Sequence, residues 1–217
     1  MVLEYSKHSP QLVAVDCVIF GYISSQLHVL LYPRSFAPAK GIWSLMGGFI
    51  GNDESADEAT TRVLSDTIGM TDIYLKQVCV FSDPKRDTGA RVISIVYYAL
   101  IRTDLYDKSK AREYAAHWWP ITELPELVFD HRRMIEAALN KLQEKANGGL
   151  VGDELLPDKF TLLQLRGLYE AILQHPLDAG NFRKRILLLD ALERLDEKDF
   201  TESRKGAFLY RRKNRQA

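Results

Sequence analysis

Cysteine is nearly absent: only Cys17 and Cys79 occur in 217 residues. Two thiols so far apart make neither a disulfide framework nor a zinc site. Both sit in apolar runs, where buried and inert thiols are expected. Long hydrophobic runs are also lacking, and none approaches the roughly 18 residues of a membrane span. The opening Met1-Val2-Leu3-Glu4-Tyr5-Ser6-Lys7-His8 has no basic segment followed by an apolar one, so no signal peptide is expected. These absences predict a soluble, cytoplasmic protein without membrane attachment. No sign of charge is in excess: 29 Lys+Arg balance 29 Asp+Glu. That excludes a uniformly basic nucleic-acid coat and leaves a local basic patch open. Internal repeats and low-complexity tracts are missing as well. What remains, 46% hydrophobic and 27% charged residues, is the composition of a globular chain with a real core. The length suits one domain of about 150 residues plus a smaller one, or a single large domain.

The balanced charge is unevenly distributed. Asn181 to Ala217 holds 11 Lys/Arg and 6 Asp/Glu, a net of +5, and the rest of the chain carries −5. Arg211-Arg212-Lys213-Asn214-Arg215 is the densest basic run. By itself such a run is a solvated end; on a nucleic-acid-binding scaffold it becomes a phosphate contact.

Hydrophobic periodicity divides the chain at Asn147-Gly148-Gly149. Before it, strands are predicted over Gln11–Phe20, Gln26–Tyr32, Ile42–Met46, Thr71–Phe81, Arg91–Arg102 and Ala115–Trp119. The strand over Arg91–Arg102 is apolar on both faces and is expected to be central. Helices are predicted over Glu54–Ile68, closed by Gly69, and over Phe129–Ala146. Asp130-His131 is read as the cap of that last helix rather than as a catalytic pair. Strands with a helix between them and another at the end suggest an α/β sandwich. Beyond the linker, Thr161 fits the cap of a helix over Leu162–Gln174, Asp178–Asn181 forms a turn, and Phe182–Leu189 forms a second helix. Strands over Leu192–Phe200 and Ala207–Arg212 complete a hairpin around the loop Thr201–Gly206.

Two constellations carry chemistry. In the first, Gly48 is followed after five residues by Glu54 and after seven more by Arg62, with Leu64, Gly69 and Met70 beyond. This frame resembles the Nudix box, which implies a Nudix α/β/α sandwich over roughly residues 9–147. The box works because three carboxylates at i, i+3 and i+4 share one helix face and hold Mg²⁺ against a pyrophosphate. Those positions here are Val63, Asp66 and Thr67. A lone aspartate is a poor cage for a hard cation, and first-turn Glu54, Asp57 and Glu58 read as helix-dipole residues. Binding without turnover is therefore expected, with no cofactor or metal; slow hydrolysis with displaced ligands is the other reading.

In the second constellation, a basic helix follows an amphipathic one. At about 100° per residue, Phe182, Ile186 and Leu189 face inward and Lys184 points nearly opposite, flanked by Asn181 and Arg183. An exposed helix that opens with Asn and basic residues suits entry into the major groove. The plain alternative is a small helical domain with a solvated basic face. The run FTLLQLRGLYEAILQHPLDAGNFRKRILLL resembles the winged-helix segment of Nudix-related transcriptional regulators. Ser82–Asp87 and Trp118-Trp119-Pro120 through His131 match the same family in order.

The resemblance implies an effector-binding Nudix-like domain over residues 1–147 and a winged helix-turn-helix domain over 148–217. Asn181, Arg183 and Lys184 are expected at base edges of a double-stranded operator, and Arg185, Lys205, Arg211 and Arg212 at phosphates. The effector is expected to be a sugar such as L-arabinose, or ADP-ribose. Lys40, Trp43, Gly47, Gly48, Asp83, Arg86 and Arg91 are the candidate effector residues; Arg34 and Lys85 are further possible phosphate neutralisers. Two-fold operators imply a homodimer. A Nudix hydrolase of nucleoside diphosphate derivatives with an accessory domain is the alternative, and a protein-binding module with an acidic partner is a third reading.

Overall fold

The computed structural model describes residues 7–70, 73–105, 108–201 and 204–213. Thr71, two residues of the wing loop and the basic Asn214-Arg215 lie outside the described residues. No helix among those described is long and apolar enough to cross a membrane.

The first part is a seven-stranded mixed sheet with a helix on each face. Its backbone is β1 (Leu12–Ile23), which alternates strictly with period two. Val15, Cys17 and Ile19 bury toward one helix, and Val18 and Phe20 toward the other. This long strand pairs with β2 (Gln26–Pro33) at its far end and with β4 (Met46–Phe49) at its near end. Parallel to it runs β6 (Val92–Leu100), with β5 (Tyr74–Phe81) on the outer side. The strand expected to be central is so: β6 lies between β1 and β5. Short β3 (Trp43–Ser44) and β7 (His117–Pro120) both pair with β2.

Helix α1 (Ala56–Ile68) covers one face through Ala59, Val63, Leu64 and Ile68. It begins later than expected because Ser55 and Glu58 form a reciprocal capping box, which leaves Glu54 outside. Gly69 ends it in the left-handed conformation, as expected. The expected segment Ile42–Met46 is split between two strands. Gly47 and Gly48 lie inside β4, paired with Asp16 and Val15, instead of following a strand. A Cβ on Gly47 would stand 2.4 Å from Asp16 Oδ1, so only glycine lets this strand approach β1 so closely. A six-residue helix α2 (Lys108–Glu113) was not expected.

The opposite face is covered by α3 (His131–Gly148). Asp130 precedes it but makes no side-chain capping bond, so the capping role read from the sequence does not hold. After a 3-10 turn at Asp153–Leu155 come β8 (Phe160–Thr161), α4 (Leu162–Leu173), α5 (Ala179–Leu188), β9 (Leu192–Asp199) and β10 (Ala207–Arg212). Thr161 caps α4 through a box with Gln164, worth about 0.5–2 kcal/mol. The expected turn at Asp178–Asn181 is instead the cap and first turn of α5, because the Asp178 side chain accepts from the Asn181 backbone. Phe182 and Ile186 are buried as expected, whereas Leu189 is exposed at the end of the helix.

The two parts share one apolar cluster, which runs from Phe20 and Tyr98 through Met134 and Leu142 to Leu165, Leu168, Phe182 and Tyr210. Polar ties reinforce the junction. Gln143 Nε2 donates to the Ile172 carbonyl at 2.9 Å. The Tyr169 hydroxyl donates to the Gly149 carbonyl at 2.8 Å and accepts from the Val151 amide at 3.1 Å.

Candidate functional site

A cavity of about 280 Å³ opens beside the near ends of β1, β4 and β6. Its chemistry comes from polar residues set into apolar strands. Asp16 interrupts β1, and its Oδ2 accepts from the Ser94 hydroxyl of β6 at 2.5 Å. The Arg86 guanidinium is 3% exposed and gives a two-pronged pair to Asp130 at 3.0 and 2.8 Å. It also stands 3.9 Å from Asp16. Tyr32, Arg34, Phe36 and Phe129 add an aromatic and cationic wall.

His131 has a defined tautomer when neutral. The Leu45 amide donates to its Nδ1 at 3.0 Å, so the proton sits on Nε2, which lies 3.9 Å from Asp16 Oδ1. Burial pushes the His131 pKa below its usual 6.5, while Asp16 pulls it back in part. A histidine with a lower pKa folded than unfolded supplies stability that is present above 6.5 and lost as pH falls through the folded value. Urea unfolding at about pH 7.5 and 5.5 is therefore expected to show a loss at the lower pH that shrinks in His131→Gln. Equal pH dependence in both proteins would assign the acid sensitivity elsewhere.

Of the sequence-predicted effector residues, Gly47, Gly48 and Arg86 line this cavity. The other four do not. Lys40 is exposed on the loop after β2. Trp43 packs against Trp119 and His117 with ring centroids at 5.3 and 5.6 Å. Asp83 is exposed and accepts from the Lys85 amide, and Arg91 donates to the Ser82 and Asp83 carbonyls. Sequence reasoning passed over Asp16, Ser44, Tyr32, Phe36 and Phe129, and read His131 only as part of a cap. The signal for one of the pocket's polar groups and its buried partner was available: Asp16, which lines the cavity, and Ser94, which donates to it, are single polar residues inside apolar strands.

The box helix holds its acids in other work. Glu54 accepts from the Arg62 side chain at 3.0 and 2.7 Å and from the Gly51 amide, which together hold its carboxyl near 2. Asp57 accepts from the Tyr97 hydroxyl at 2.5 Å, and Glu58 closes the capping box. Of the three box positions, Val63 is buried, Asp66 is exposed and the Thr67 hydroxyl donates to the Val63 carbonyl at 2.7 Å. Among the described residues, no three His, Cys, Asp or Glu side chains stand together where they could share a metal ion. Asp66 alone offers a carboxylate at the three box positions.

On the winged helix, Asn181, Arg183 and Lys184 are exposed along the first turns of α5, and Lys205 is exposed at the hairpin. Arg211 is exposed but pairs with Glu193 at 2.8 Å; an exposed pair of this kind is worth little and opens readily. Two of the expected phosphate contacts are turned inward. The Arg185 guanidinium lies 5.6 Å from the Tyr169 ring centroid and 5.9 Å from that of Phe182. Arg212 is tied to Asp153 and to the Leu150 carbonyl. Arg212 is thereby committed within the protein, whereas the Arg185 Nη2 is buried without a hydrogen-bond partner among the described residues. Arg194 and Lys198, missed in the sequence, lie over the Phe208 ring at 4.6 and 4.8 Å on the hairpin face.

A sheet sandwiched by α1 and α3, with the box helix following a glycine strand, is a Nudix domain. Joined to helix, helix and hairpin, it defines a Nudix-type domain fused to a winged helix. Residues 152–212 match the family model described as the NrtR DNA-binding winged helix domain. The chain is 31% identical over 96% of its length to the ADPR responsive transcriptional repressor NtrR of Acinetobacter baylyi, covering 84% of that protein. It is 33% identical over 61% of its length to an ADP-ribose pyrophosphatase of Methanocaldococcus jannaschii, covering 76% of it. The crystal structure of Shewanella oneidensis NrtR complexed with a 27mer DNA superposes with a TM-score of 0.82 at 32% identity, over 93% of each chain. The chain belongs to the NrtR-type family of Nudix-related, DNA-binding transcription regulators.

Proposed function

We propose that this protein is a repressor whose grip on an operator changes when ADP-ribose enters the Nudix cavity. The observation that carries this reading is its end-to-end likeness to an ADPR-responsive repressor. The matches described above name ADP-ribose or DNA and none names a sugar, so L-arabinose is not carried forward. The pocket supports a ligand of this kind, with aromatic faces, a carboxylate and guanidinium groups around one cavity. Residues 1–147 form the sensing domain and 148–217 the reading domain, in the cytoplasm as a homodimer on a two-fold site. Asn181, Arg183 and Lys184 meet base edges; Lys205 and Arg211 meet phosphates. The likeness to a pyrophosphatase favours hydrolysis as a second reading, but Val63, Asp66 and Thr67 leave the box without its metal ligands.

One experiment separates the readings. Gel shifts on the cognate operator are run with and without ADP-ribose, and the same mixtures with Mg²⁺ are assayed for AMP release. We expect a shift in operator affinity and no AMP. Efficient AMP release would overturn the non-enzymatic reading, and an operator complex indifferent to ADP-ribose would overturn the sensing role.

A further inference from the structure

The charges that line the cavity do not suit an anionic ligand at first sight. Asp16 and Asp87 line it with Arg34 and Arg86, and Asp130, outside the lining, pairs with Arg86; His131 is neutral. Two aspartates balance two arginines in the lining, so a diphosphate gains attraction there only from a cation that is not already committed to a carboxylate. Arg86 is already spent: it is buried, paired twice with Asp130 and close to Asp16. Arg34 is the other cation. It stands where the chain leaves β2, and its own backbone closes the following loop through bonds to Ile42 and Gly41. Its Nε donates to the Pro38 carbonyl at 2.8 Å, and no carboxylate oxygen among the described residues pairs with its guanidinium.

Two phenylalanine rings stand beside that guanidinium. Its central carbon is 4.0 Å from the Phe36 ring centroid and 5.2 Å from that of Phe129. Phe36 is 51% exposed, so its ring lies over Arg34 at the mouth of the cavity and not in the core. Phe129 takes φ 49, a left-handed conformation that a bulky residue adopts only at a cost of about 1–3 kcal/mol. The strain places its ring against Arg34 and His131. A guanidinium fork against aromatic rings, with its terminal nitrogens unpaired to carboxylate among the described residues, is suited to bidentate contact with phosphate oxygens.

We propose that Arg34, held between Phe36 and Phe129, is the residue that binds the phosphate groups of the effector and sets its preference for a nucleoside diphosphate over a neutral nucleoside. The proposal rests on the ADP-ribose reading above and names which charge reads that ligand.

The test uses the full chain and isothermal titration with three probes: ADP-ribose, adenosine and inorganic pyrophosphate. Arg34→Gln is expected to weaken ADP-ribose binding by roughly 10- to 100-fold, the range for lost charge-assisted hydrogen bonds. It leaves adenosine binding unchanged and flattens the dependence of ADP-ribose affinity on salt. Arg34→Lys keeps the charge without the fork and falls between the two. Full ADP-ribose affinity in Arg34→Gln, or equal losses for adenosine, would overturn the assignment. If the unaltered protein binds pyrophosphate through Arg34 but not ADP-ribose, the effector reading fails while the phosphate site stands. An unaltered protein that binds neither overturns both.

Discussion

Replacing Asp130 with alanine is expected to destabilise the protein by about 3–5 kcal/mol, the cost of leaving a buried charge without its partner. The Arg86 guanidinium is 3% exposed and meets Asp130 through two nitrogens. Asp16, at 3.9 Å, is too far to replace that pair and is already bonded to Ser94. The arginine cannot lose its proton, so it must draw in water or move. The double variant Arg86→Met, Asp130→Leu removes both charges and is expected to recover much of the loss, because the pair pays a large desolvation cost of its own. Guanidinium unfolding of the three proteins checks this. A loss below about 1 kcal/mol in Asp130→Ala would show that solvent already screens Arg86 as at a surface pair.

The second large effect falls on DNA. Lys184→Ala is expected to weaken operator binding by roughly 10- to 150-fold, which corresponds to about 1–3 kcal/mol for one base contact. Binding to random duplex should weaken much less. Lys184 is exposed on α5, on the side away from the buried Phe182 and Ile186. Arg185, its neighbour, lies against Tyr169 and Phe182 instead. Fluorescence anisotropy on both duplexes across a salt series gives the answer. Equal losses on both, with a shallower salt slope, would place Lys184 on a phosphate.

The contrast between these two arginines shows where sequence reading succeeds. Period-two alternation in β1 and β6 gave each strand its two faces, because every residue must point one way or the other. Thr161 was legible as the cap of α4 because its partner Gln164 lies three residues on; the equally local Ser55/Glu58 box was passed over, and the start of α1 was placed too early. Such local patterns are readable because both partners sit in one short window. The pocket is not local. Arg86 and Asp130 lie 44 residues apart and Arg212 and Asp153 lie 59 apart, so nothing in either window marks the arginine as spoken for. Arg212 therefore reads as one more member of a solvated basic run although its guanidinium is bound to Asp153. The short α2 helix failed for a different reason: with one buried residue, Ala111, it has no hydrophobic stripe to detect.

Helix α3 begins at the effector cavity, with Asp130 and His131 at its start, and its later turns lie against α4. Eighteen residues give it a length of about 27 Å. It is thus a rigid element that spans from the cavity of the Nudix domain to the first helix of the winged helix. A tilt of about 5° at the pocket end sweeps the far end through roughly 2 Å, comparable to the small helix displacements that reposition whole domains elsewhere. The shared apolar cluster and the Gln143 and Tyr169 hydrogen bonds join the two halves at that end, so a displacement of the first turn is passed on to α4 through packed contacts.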